Sequence, residues 1–180
     1  KFIVGSTSRL TREKGQDYLI KSIPIVLKKI TNAYFIIAGD GPDRQYFENL
    51  IRDLGVYKNV RMPGFVEDKN YYYSMFDVFV FPTVWDLEGF GLVVPEAMMH
   101  RIPVIGSNQG PVPEIIDNNL NGIIVESRDE IALANSIIKL GLDKNLRKKM
   151  GENGYRKTLA IYDISKISNQ ILNIFHDAIK

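Results

Sequence analysis

The sequence predicts an α/β protein built on a doubly wound, six-stranded parallel sheet of the Rossmann type, with helices on both faces and a helical C-terminal tail. Three observations carry that reading. Short β-branched or aromatic runs alternate with amphipathic stretches as far as residue 126. Some of those runs, DVFVFP above all, are apolar enough for burial on both faces, as a parallel sheet demands. Beyond them the pattern is wholly helical.

The elements follow in order. FIVGST (2–7) reads as the first strand, and QDYLIKSIPIVLKKI (16–30) as the first helix after a polar loop. AYFIIAG (33–39) is the second strand; the turn DGPD leads from it to the helix RQYFENLIRDLG (44–55). VRMPGF (60–65) is a third strand, followed by the aromatic helix KNYYYSMF (69–76). DVFVFP (77–82) is the fourth strand, and a helix opens around Pro95, a residue suited to a first turn. PVIGS (103–107) and GIIVE (122–126) complete the sheet, with helices expected over 129–142, 144–160 and 163–179. Ile164, Ile167, Ile171, Ile174 and Ala178 recur on one side of the last helix. That face is expected to pack, on this domain or across to another.

Composition narrows the functional classes. The 180 residues suit one domain, or one half of a larger enzyme, with 45% apolar and 24% charged residues. A net charge of +2, from 23 basic and 21 acidic side chains, argues against a nucleic-acid surface. Cysteine is absent, which excludes disulfides and thiolate metal sites. No apolar run approaches the roughly 20 residues of a membrane span. The chain opens inside a strand without an initiator Met, so a fragment of a longer protein is expected.

In a sheet of order 3-2-1-4-5-6, ligands bind at the carboxyl ends of the strands where the order reverses, between the first and fourth. The loops there would be TSRLTREKG (7–15) and TVWDLEGFG (83–91). The first brings Arg9, Arg12 and Lys14. The second brings Glu88, Gly89 and Gly91, and seven residues separate Glu88 from Glu96. Burying either acid alone would cost several kcal/mol, so both need partners, in this chain or in a ligand. Cations and helix N–H groups suit phosphates, whereas carboxylates are acceptors suited to vicinal hydroxyls. Phosphates between two sets of hydroxyls describe a nucleotide sugar, one acid on the sugar and the other on the ribose.

Plainer readings stand beside this one. Arg9, Arg12 and Lys14 also read as a solvated loop, and Glu96 as a helix-opening acid worth about 0.3–1 kcal/mol. Gly39-Asp40-Gly41-Pro42 is by default a turn, Tyr71–Tyr73 a half-buried helix face, and His100 and His176 carry no partner pattern. Asp86 and Glu88 alone are weak support for a metal.

The stretches SRLTREKGQDYLIKSI, FIIAGDGPDR, NVRMPGFV, YYYSMFDVFVFPTVWDLEGFGLVVPEAM and IPVIGSNQGPVPEII resemble, in register, the C-terminal donor-binding domain of family 4 (group 1) retaining glycosyltransferases of the GT-B fold. The resemblance implies that residues 1–180 are one nucleotide-sugar-binding domain, the acceptor-binding N-terminal domain being absent. It implies that Arg9 and Lys14 bind the donor diphosphate, that Glu88 lies against the donor sugar and that Glu96 holds the ribose. Gly64, Phe65 and Val66 would lie near the base and Gly39 near the crevice floor; the backbone of Phe90, Gly91 and Leu92 would meet the sugar. The donor would be a UDP-, GDP- or ADP-sugar, with no cofactor and no metal. The acceptor would be a glycan or a lipid-linked sugar in polysaccharide, lipopolysaccharide or glycolipid synthesis. The implied location is cytoplasmic, with any peripheral attachment at the inner membrane face made through the absent domain. Met99-His100-Arg101 and Pro111 replace the small residues and glycine common in the family. A nucleotide-sugar epimerase and a non-catalytic nucleotide-sugar-binding subunit are the alternatives. A Rossmann dehydrogenase fits poorly, because STSRLTREKG is not G-x-G-x-x-G.

Overall fold

The structure, a computed structural model, describes residues 1–178. Strands β1 (Phe2–Thr7), β2 (Ala33–Ala38), β3 (Val60–Arg61), β4 (Val78–Phe81), β5 (Val104–Ser107) and β6 (Gly122–Val125) form one sheet of order 3-2-1-4-5-6. Every pairing is parallel. The predicted fold class and strand number are therefore observed, and the order is the common one taken for locating the crevice. β3 is the exception in length: only two of the six residues expected join the sheet, because Met62-Pro63-Gly64 leaves the ladder and a proline has no amide to donate.

The alternation of side chains along the strands divides the interior in two. Val78 and Val80 of β4 face a core closed by α1 (Gln16–Leu27), α2 (Arg44–Asp53) and α6 (Glu130–Leu142), through Leu19, Phe47 and Leu133. Phe79 and Phe81 face the opposite core, closed by α3 (Lys69–Tyr73), α4 (Val93–Met99) and α5 (Val112–Ile115), through Tyr73, Met98 and Ile115. α7 (Lys144–Ile161) joins the first core through Met150 and lies close against α4, where Gly154 approaches Met98.

α4 ends without a glycine. Arg101 adopts the left-handed conformation itself, at φ 57°. Its guanidinium stacks 3.7 Å from the Tyr155 ring centre and donates to Glu152 on α7. Those contacts offset a backbone conformation that costs a non-glycine residue about 1–2 kcal/mol.

The last helix, α8 (Ile164–Ala178), corrects an expectation. Its apolar side does not close this domain: no residue in it is buried, and Ile164 and Ile174 are 74% and 68% exposed. Ile179, also expected in this helix, lies outside the described residues. Among the described residues no helix is long and apolar enough to cross a membrane.

Candidate functional site

The loops after β1 and β4 are stitched together at the carboxyl end of the sheet. The Val84 amide donates to Glu13 O at 2.9 Å, and Thr83 Oγ1 lies 3.2 Å from the same oxygen. A single 3-10 turn, Arg12–Lys14, precedes Gly15 and aims Lys14 across the join. Lys14 Nζ donates to Glu88 Oε2 at 2.6 Å, with the two side chains only 17% and 8% exposed. The rings of Trp85 and Phe81 lie 5.3 and 5.8 Å from the same ammonium, close enough for a cation–π attraction. Thr83 Oγ1 reaches Glu88 Oε2 at 3.3 Å.

Glu96 answers the same need differently. It stands in the first turn of α4, and Lys69 Nζ bridges its two oxygens at 2.7 Å each. Tyr73 donates its hydroxyl to Oε2 at 2.9 Å and shares a 3.0 Å hydrogen bond with Thr7 Oγ1. Burial chiefly, with the negative charge of Glu96, pushes the Tyr73 hydroxyl well above the usual tyrosine range, although Thr7 acts in the opposite direction. Tyr73 therefore stays a donor at neutral pH. His100 stacks on its ring, 5.2 Å between centres and 28° apart in plane, and meets Asn70 at 3.1 Å.

Lys69 also lines a cavity of about 510 Å³ whose wall includes Thr7, Arg9, Gly39, Phe65 and Val66. Arg9 is exposed and, among the described residues, makes no side-chain hydrogen bond or ion pair, so its charge is available to a ligand. Gly39 needs its φ of 136°, and a Cβ there would strike the Ser8 carbonyl oxygen. Its amide donates to Gly64 O at 2.8 Å, tying the second strand to the loop that carries Phe65, itself 77% exposed. Gly91, at φ 73°, turns the chain into α4, and a Cβ would sit 3.1 Å from the Phe81 ring.

The sequence-predicted residues thus fall into three groups. Arg9, Gly39, Phe65 and Val66 line one cavity, and Gly64 braces it. Lys14 and Glu88 form a separate, mostly buried pair, joined to each other here and not held apart for different ligand groups. Glu96 lines an adjoining cavity of about 340 Å³ with Lys69, Tyr73 and His100. Phe90 and Leu92 turn outward: the Phe90 ring packs edge-on to Tyr162 at 5.5 Å, and Leu92 is largely exposed. The opening of α4 offers fewer amides than expected, since Val94 already donates to Gly91 O and Pro95 has no N–H. Lys69, Tyr73, Thr7 and Thr83 were not foreseen. Lys69 is 27 residues from Glu96, and Tyr73 is 66 from Thr7. No local spacing records such pairings.

The family described as "Glycosyl transferases group 1" matches residues 1–157.

The chain belongs to the group 1 glycosyl transferases.

A GDP-mannose-dependent alpha-(1-6)-phosphatidylinositol monomannoside mannosyltransferase of Mycobacterium tuberculosis is 32% identical, over 82% of this chain and 40% of its own length. Anabaena Alr3699/HepE, solved in complex with UDP, superposes with a TM-score of 0.92 at 25% identity, over 98% of this chain and 49% of that one. The C-terminal domain of LpcC, a group 1 family protein from Francisella tularensis, gives 0.82 at 30% identity, over 91% of this chain and 87% of that one. The chain spans less than half the length of the curated relatives it matches. In this group 1 sequence, the two carboxylates that prompted the nucleotide-sugar reading are both present and both charge-paired.

Proposed function

We propose that this chain is the donor-binding half of a retaining glycosyltransferase that moves a sugar from a nucleoside diphosphate to a glycan or lipid-linked acceptor. One observation carries the reading. At the carboxyl end of the sheet, Arg9, with no side-chain hydrogen bond or ion pair among the described residues, and Lys69, the partner of Glu96, share the wall of one cavity, and the loops after β1 and β4 bring Lys14 onto Glu88. UDP bound to Anabaena Alr3699/HepE, a protein of the same fold, supports a nucleotide as occupant.

In this reading Arg9 and Lys14 meet the diphosphate, Glu88 the donor sugar and Glu96 the ribose. The chemistry follows from where charge develops. As the bond from the anomeric carbon to the diphosphate oxygen breaks, its electron pair stays on the diphosphate. Arg9 and Lys14 then stabilise a charge that grows toward the transition state, which is the electrostatic contribution most effective in catalysis. Retention brings the acceptor hydroxyl to the face the diphosphate leaves. The departing phosphate is the nearest base there and takes the hydroxyl proton. In this reading the charge is met by side chains, and no metal is called on. The acceptor is expected on a second domain, so this chain alone binds nucleotide and transfers nothing.

A few charge-assisted hydrogen bonds of about 1.5–3 kcal/mol each, less the cost of association, set affinity in the micromolar to millimolar range. An NMR titration with UDP, GDP, ADP and their sugars tests the site. Shifts are expected at residues 9–15, 39–41, 64–66 and 88–96, weakened in Glu96→Ala. Absence of any shift there at millimolar nucleotide overturns the reading, and turnover by this chain alone overturns the half-site.

A further inference from the structure

Glu96 is assigned above to a ribose, yet it is already occupied. A carboxylate offers about four lone-pair positions. Lys69 Nζ takes one on each oxygen at 2.7 Å, and Tyr73 takes another on Oε2 at 2.9 Å. What remains belongs to Oε1. A vicinal diol that grips a carboxylate with both hydroxyls needs a position on each oxygen, so diol and Lys69 compete for the same edge.

Three further features make Lys69 the group that yields. Its side chain is 43% exposed, so a displaced ammonium regains water easily, unlike Lys14 at 17%. Tyr73 is buried and held from behind by Thr7, and cannot retreat. Lys69 also lines both the 510 Å³ cavity and the smaller one around Glu96, so it stands on the boundary between the two. Its position opening α3 gains nothing from that helix, whose N-terminal amides disfavour a cation. The bond to Glu96 accounts for its placement.

Resting on the donor-site reading, we propose that Lys69 is a specificity-determining gate on Glu96. Its ammonium holds the bidentate edge of the carboxylate, and only a ligand presenting two neighbouring hydroxyls displaces it. A single hydroxyl finds just the leftover position on Oε1 and binds with Lys69 in place. The carboxylate is thereby kept neutralised and ordered when no ligand is present, and the ribose diol, not one hydroxyl, becomes the feature read.

The test compares affinities for UDP, GDP and ADP with those for their 2′,3′-dideoxy counterparts, in the wild type, Lys69→Met and Lys69→Arg. The ratio of ribo to dideoxy affinity cancels the general loss of a positive charge. With Lys69 removed the diol displaces nothing, so the ratio rises by about fivefold. Lys69→Arg, which restores a cation on the carboxylate, returns the ratio toward the wild-type value. A ratio that falls in Lys69→Met means that Lys69 merely orients Glu96, and a ratio that stays the same means that it does not compete; either result overturns the gate while leaving the nucleotide site standing. If none of the nucleotides shifts the crevice resonances in any of the three proteins, the donor-site reading fails and the gate with it. Lys69 lies at the surface, and matching backbone spectra establish that the variants fold.

Discussion

Lys14–Glu88 and Lys69–Glu96 join the same residue types at 2.6 and 2.7 Å, yet they are not the same interaction. The first is 17% and 8% exposed, walled by Trp85 and Phe81, with Gly110 so close behind that a Cβ there would lie 2.9 Å from Glu88 Cβ. The second is 43% and 35% exposed and opens onto two cavities. In the first setting water cannot replace a lost partner; in the second it can. Distance alone would rank the two pairs as equals, whereas burial keeps bulk water from one and leaves the other exchangeable with it.

The sharpest way to break the comparison is to remove the lysines in turn. Lys14→Met leaves the Glu88 carboxylate in an apolar setting with only Thr83 beside it, and is expected to cost about 3 kcal/mol in urea unfolding. A loss no larger than that of the surface variant below would show that the loop simply opens to water. Tyr73→Phe comes next, at about 1–2 kcal/mol, because it deprives Glu96 and Thr7 of a shared buried partner. This variant also carries a pH signature. The folded-state pKa of Tyr73 lies above its unfolded value near 10.0, so folding binds that proton more tightly. The contribution is intact below about pH 10 and declines as pH rises beyond it. Tyr73→Phe should remove that part of the alkaline slope, and an unchanged slope would contradict it. Lys69→Met is the smallest, under about 1 kcal/mol, since both members of the pair are more than a third exposed. A cost equal to that of Lys14→Met would erase the distinction.

The site was legible where its chemistry repeats within a short stretch. Glu88 and Glu96 stood out because they bracket an uncharged, glycine-bearing run, and the argument that neither could be buried alone holds: each has found a lysine. Which lysine was not legible. Lys14 had been read toward phosphate, and Lys69 looked like the polar start of an aromatic helix. Tyr73 looked like one of three equivalent tyrosines, yet Tyr71 is exposed while Tyr73 is buried at the centre of the Thr7–Glu96 link. Three consecutive side chains on a helix point about 100° apart, so only the docking of α3 on the sheet selects one. The apolar side of α8 teaches the converse. Its periodicity correctly predicted a helix, but a hydrophobic face does not name its partner, and this domain is not that partner.

What the sequence determined by itself was the local pattern: alternating strand and helix periods, a wholly helical end, glycines where the chain must turn, and two acids that could not be left alone. Those features depend on residues within a turn or a strand of one another, and they suffice for the fold class and the number of strands. The tertiary structure alone decided which charges meet, which of them water still reaches, and which apolar face stays open. These properties depend on groups brought together from 23 to 74 residues away. Hydrogen bonds and ion pairs act over a few ångströms of space, and separation along the chain carries no record of them.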